Sequence, residues 1–99
     1  MATRLHIKII EARDITRKGY MVDPYVTIRL KSQDLNDCFK TQVKNNNNNP
    51  VWNQEFDIIA EDPNDVLLIN MYNEQIKNDV IIMDELQYPI STFPTNGPL

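Results

Sequence analysis

Two short stretches carry cations in alternation with apolar residues. In the first, Val26, Ile28 and Leu30 alternate with Thr27, Arg29 and Lys31; in the second, Phe39, Thr41 and Val43 alternate with Lys40, Gln42 and Lys44. A period of two marks a strand with one buried face. Arg29, Lys31, Lys40 and Lys44 are therefore expected on one outward sheet face, where four cations attract phosphate groups. That chemistry is binding, not bond-breaking. A merely solvated charged face gives the same pattern, and Asp34 and Asp37 between the stretches dilute it.

Groupings that could catalyse are missing. His6 is the lone histidine, on the outward side of a strand pattern, so a histidine metal site or triad has no second member. Cys38, the lone cysteine, lies in a polar segment without a nearby base, which argues against thiol catalysis. The acidic pairs Glu61-Asp62 and Asp84-Glu85 fall at loops or strand ends, where carboxylates are ordinarily solvated. Two glycines cannot build a phosphate loop. The chain reads as non-enzymatic.

Composition narrows the class further. One cysteine allows no disulfide framework or cysteine-based zinc site and suits a reducing cytoplasm. Ten Lys and Arg against 14 acids give a net charge of −4, against the basic surplus a nucleic-acid binder needs. No run approaches the roughly 20 apolar residues of a membrane span. The opening Met1 to His6 lacks the apolar core of a signal peptide. Ninety-nine residues are expected to form one domain over 1–99.

Strands must position these groups, because no window gives an amphipathic helix of useful length. Leu5, Ile7 and Ile9 alternate with His6 and Lys8 in a first strand. The two cation-bearing stretches are the second and third. Trp52 to Ile58 is a fourth, with Gln54 breaking the alternation as an edge or a bulge does; Leu67 to Met71 is a fifth and Val80 to Met83 a sixth. Turn signals separate them at Lys18-Gly19, Asp23-Pro24, Asn49-Pro50 and Asp62-Pro63-Asn64-Asp65. Short strands at this spacing predict an all-β antiparallel sandwich. The run Asn45 to Asn49 reads as a loop tip.

Three motifs in order give a resemblance. Asp23-Pro24-Tyr25-Val26, then Phe39-Lys40-Thr41-Gln42-Val43, then Asn49-Pro50-Val51-Trp52-Asn53-Gln54-Glu55-Phe56 resemble the C2 domain family, and Leu5 to Ile15 fits that family's first strand. The resemblance implies an eight-stranded Greek-key β-sandwich with three loops at one end, here Thr16 to Val22, Lys44 to Asn49 and Asn73 to Asn78. It also implies that the chain lacks the last one or two strands, leaving an edge for a partner protein or an exchanged strand.

In this family the loops usually coordinate Ca²⁺ and meet phospholipid. The positions matching metal ligands are Asp23, Asn73, Glu74, Gln75 and Asp79, a degenerate set for an ion that prefers 6–8 oxygens. Arg17, Lys18 and Gly19 stand where an earlier Asp would lie. The expectation is a Ca²⁺-independent module, with no cofactor or at most weak Ca²⁺. It would bind anionic phospholipid, including phosphoinositides, as a peripheral membrane protein. Arg17, Lys18, Tyr20, Met21, Ile76 and Lys77 would touch the bilayer at the loop tip. Arg29, Lys31, Lys40 and Lys44 would attract phosphates in a lysine-rich groove shaped by Tyr25, Tyr72 and Asn78. The alternatives are Ca²⁺-dependent lipid binding through a weakened site and a protein-interaction C2 domain.

Overall fold

The computed structural model describes residues 2–15 and 21–93. Seven strands appear among them: β1 (Thr3–Glu11), β2 (Pro24–Leu30), β3 (Phe39–Lys40), β4 (Val51–Ala60), β5 (Val66–Asn73), β6 (Val80–Ile81) and β7 (Leu86–Pro89). All pair antiparallel, as an all-β sandwich requires. β1 and β4 form one ribbon, and β3-β2-β5-β6 form the facing sheet, with β7 also on β5.

The alternation in β1 and β4 turns one side of the ribbon inward: Leu5, Trp52, Ile58 and Ala60 are buried, with Ile7, Ile9 and Phe56 packed against them. Across the gap stand Val26, Ile28 and Leu30 of β2 and Leu67 and Met71 of β5. Ile28 is wholly shielded from water. Ile9 faces Gln54 and Glu11 faces Val51, so two steps on β1 span three on β4. The extra residue is a β-bulge, and Asn53 takes φ 48° there, a left-handed conformation that Asn tolerates better than most residues. On the outer side Arg4, His6 and Lys8 face Ile59, Asp57 and Glu55. His6 bridges both acids, Nδ1 at 2.8 Å from Asp57 and Nε2 at 3.0 Å from Glu55. Those hydrogen bonds, Asp57's first, raise the imidazole pKa, and Asp57 is lowered in return.

Two expected strands differ. The third is two residues long, not six, because Thr41 turns inward and its Oγ1 accepts the Val26 N–H at 2.9 Å. The chain beyond it follows β2 irregularly, Lys44 N–H reaching Pro24 O at 3.1 Å. The sixth, expected over Val80 to Met83, covers only Val80–Ile81, and a further strand, β7, follows it. Ile81 lies opposite Tyr72 and Leu86 opposite Ile69, so five steps on this side match three on β5. Two surplus residues bulge out, and β7 resumes with four exposed residues that give no alternation to read.

The end where β5 begins is latched by a buried carboxylate. Asp65 accepts hydrogen bonds from the Ser32 hydroxyl, the Ser32 N–H at 3.2 Å and the Val66 N–H at 2.8 Å, while its own carbonyl takes the Ile90 N–H at 2.9 Å. Burial pushes the Asp65 pKa up, but the three hydrogen bonds outweigh it and hold the group below its ordinary value. A depressed pKa stabilises the fold above the unfolded value of about 3.9, and this is lost as pH falls through the folded value. Asp65→Ala strands these donors and is expected to lower stability by about 1–3 kcal/mol at neutral pH. Denaturant titrations should also show Asp65→Asn losing less stability than the parent chain between neutral pH and pH ~3.

Candidate functional site: a cationic aromatic groove beside a laced loop end

The outward row of β2 is Tyr25, Thr27 and Arg29. Register sets Tyr25 beside Tyr72 and Thr27 between Asn70 and Lys40. With Cys38, Ile81 and Glu85 these side chains line a groove of about 520 Å³. The Tyr25 and Tyr72 rings stack with centroids 5.4 Å apart, and the Lys40 ammonium sits 4.2 Å from the Tyr25 centroid, a cation–π contact that fixes it over the groove. The Tyr25 hydroxyl donates to Asp79 Oδ2. Burial, then the bond to Asp79 and its negative charge, push the Tyr25 pKa up, so the phenol stays a neutral donor. Arg29 Nη1 donates to Gln33 O at 3.3 Å.

At the adjoining end three loops are laced through Asp23. Its N–H donates to Asn73 Oδ1 at 2.8 Å, its carbonyl accepts the Glu74 N–H at 3.0 Å, and its Oδ1 accepts the Asn46 N–H at 2.7 Å. Asp79 Oδ1 accepts the Gln75 N–H at 3.1 Å. Its pKa is lowered by the Tyr25 hydroxyl first and then by that N–H. The asparagine run does more than close a loop. Asn48 Oδ1 takes the Val22 N–H at 3.0 Å, Asn49 Oδ1 takes the Asp14 N–H at 2.9 Å, and Asn46 adopts φ 50°. These amides buttress the first loop, as asparagine side chains readily do.

A Ca²⁺ ion takes 6–8 oxygen ligands converging on one point. Here Asn73 Oδ1, Asp23 Oδ1 and both Asp79 oxygens already accept protein hydrogen bonds. Among the described residues no group of three His, Cys, Asp or Glu is arranged to hold a metal ion.

The expected groove residues divide. Tyr25, Arg29, Lys40 and Tyr72 line it; Lys31, Lys44 and Asn78 do not. Lys44 falls away because β3 ends at Lys40, so the outward row does not continue; its ammonium lies 3.5 Å from Gln42 Oε1. At the loop tip Met21 is 58% exposed, and Ile76 is fully exposed beside exposed Lys77. Arg17, Lys18 and Tyr20 lie outside the described residues. Cys38, expected in a polar loop, is half-buried in the groove wall, and Glu85, expected to be solvated, sits inside the groove. Only the bulge before β7 puts Glu85 there, and no sequence periodicity announces it.

The sequence profile of the C2 domain family matches residues 3–98. The chain belongs to the C2 domain family. It is 36% identical over 91 residues to mouse cytosolic phospholipase A2 delta, covering 89% of this chain and 10% of that protein. It is 40% identical over 78 residues to Arabidopsis thaliana Synaptotagmin-1, covering 75% and 14% respectively. The solved C2A domain of plant Extended Synaptotagmin 1 superposes with a TM-score of 0.77 at 32% identity, over 91% of this chain and 70% of that one. This C2 domain thus spans a tenth and a seventh of the two curated relatives. C2 domains are non-catalytic modules whose function class is membrane and lipid binding, often with Ca²⁺. Among the described residues of this C2 domain no helix is long and apolar enough to cross a membrane.

The Tyr25–Asp79 bond makes a direct expectation. In Tyr25→Phe the Asp79 carboxyl should titrate at higher pH, because the donor that most favours its ionised form is gone. Carboxyl-carbon NMR over an acid titration reads this shift. An unmoved Asp79 would show that the hydroxyl does not hold it.

Proposed function

We propose that this C2 domain binds anionic phospholipid surfaces without Ca²⁺, as a peripheral module at the cytoplasmic face of a membrane. The observation that carries the reading is the groove that Arg29 and Lys40 line together with the stacked Tyr25 and Tyr72. Arg29 and Lys40 would take a lipid phosphate, with Lys40 already oriented by the Tyr25 ring. Exposed Met21 and Ile76 would enter the interface, where burying two such side chains is worth about 3–6 kcal/mol. Lys77 adds about 1 kcal/mol over an anionic leaflet.

Independence from Ca²⁺ rests on the hydrogen-bonded state of Asp23, Asn73 and Asp79. Their oxygens already serve the loops as hydrogen-bond acceptors, so a cation there would compete with those donors. Phosphoinositides remain within the proposed ligand class, since they present the same phosphate to the same cations.

Vesicle sedimentation tests the reading. The chain should pellet with phosphatidylserine vesicles equally in Ca²⁺ and in chelator. The pair Arg29→Ala, Lys40→Ala should weaken binding by about 2 kcal/mol, about thirtyfold, while leaving the circular dichroism spectrum intact. Pelleting only with Ca²⁺ would overturn the metal-free mechanism. No pelleting under either condition would favour a protein-docking role.

A further inference from the structure

The groove proposed for phosphate also holds a carboxylate tied by two hydrogen bonds. Glu85 Oε2 accepts from Asn70 Nδ2 at 2.9 Å and Oε1 accepts from Gln87 Nε2 at 3.1 Å. Its two oxygens are thus tied to β5 and β7, and Asn70, the inner tie, is buried. The bulge between β6 and β7 delivers it to this place. Among the described residues Glu85 forms no ion pair, and Arg29 instead donates to the Gln33 carbonyl. Arg29 and Lys31 are near enough to favour its ionised form, after the Asn70 and Gln87 hydrogen bonds.

Charge in the groove is therefore divided. Among its lining residues two are cations, Arg29 and Lys40, and one is an anion, Glu85. The resulting surplus of one positive charge matches a single phosphodiester. A phosphomonoester adds about −1.5 to −2 at neutral pH, more than that surplus, and Glu85 in the same lining opposes the excess. Conversely, an ammonium or hydroxyl on the headgroup finds in Glu85 a fixed acceptor.

We propose that Glu85, pinned by Asn70 and Gln87 inside the groove, is a selectivity residue: it admits headgroups with one phosphodiester and an ammonium or hydroxyl portion, and it disfavours polyphosphorylated ones. The inference rests on the lipid-binding reading of the same groove. It names the headgroup class within that reading.

The test compares Glu85→Gln with the parent chain on two vesicle types matched for surface charge, one carrying phosphatidylserine and the other an inositol bisphosphate lipid. The substituted amide keeps an oxygen to accept from Asn70, and a thermal melt confirms the fold. Asp84→Asn removes the same charge from a neighbour outside the lining and controls for overall electrostatics. Glu85→Gln is expected to tighten binding to the bisphosphate vesicles by about three- to tenfold, from one charge near the surface, with little gain on phosphatidylserine. Asp84→Asn should gain little and equally on both. Equal gains of Glu85→Gln on both vesicles, or no gain on either, overturn the proposal. The Arg29→Ala, Lys40→Ala pair separates the two levels. If that pair binds like the parent chain, the groove reading itself falls; if it binds weakly while Glu85→Gln shows no preference, only the selectivity falls.

Discussion

The loop end of this C2 domain depends on one carboxylate acting as a fastener. Asp23 gives its N–H and its carbonyl to Asn73 and Glu74 and its side chain to Asn46, so the loops after β1, before β4 and after β5 converge on a single residue. Unpaired backbone groups at such a junction are costly, and a negatively charged acceptor makes the stronger kind of hydrogen bond. Asp79 has the same role in the loop after β5, joining that loop to the Tyr25 ring. Acids that would ordinarily gather a metal ion here hold the loops themselves.

That arrangement reaches the groove through Tyr25. Its hydroxyl is committed to Asp79, its ring stacks on Tyr72, and Lys40 rests over its face. The loop end and the groove are therefore one connected structure, coupled through a buried phenol. Lipid contact at the tip and phosphate contact in the groove would act on the same side chain.

Much of this was legible in the amino-acid order. The alternation of Leu5, Ile7 and Ile9, and of Val26, Ile28 and Leu30, identified strands and their inward faces because one side of each packs on the core. Asp62 to Asp65 formed the expected turn, with Asn64 N–H on Asp62 Oδ1 at 2.8 Å. Gln54 marked the bulge to within a residue. Legibility failed where burial does not alternate. Beyond Lys40 the Thr41 N–H still reaches Val26 O, but its hydroxyl takes the Val26 N–H in place of a backbone carbonyl, and extending the parity to Lys44 misplaced that cation. β7 shows no inward face, and Glu85 arrives in the groove through surplus residues whose number no pattern encodes. Partners of His6 depended on strand register, which sets Asp57 and Glu55 51 and 49 residues away in sequence.

The β1–β4 ribbon has a consequence for encounters between copies. Its outer surface carries a row of Arg4, His6 and Lys8 alongside a row containing Glu55 and Asp57, so it is an electric doublet with a positive and a negative flank. Two ribbons meeting by identical flanks repel one another within a screening distance of about 8 Å at physiological salt. Stray strand-to-strand adhesion, the standing hazard of any exposed ladder, is thus sorted by sign before a backbone bond can form.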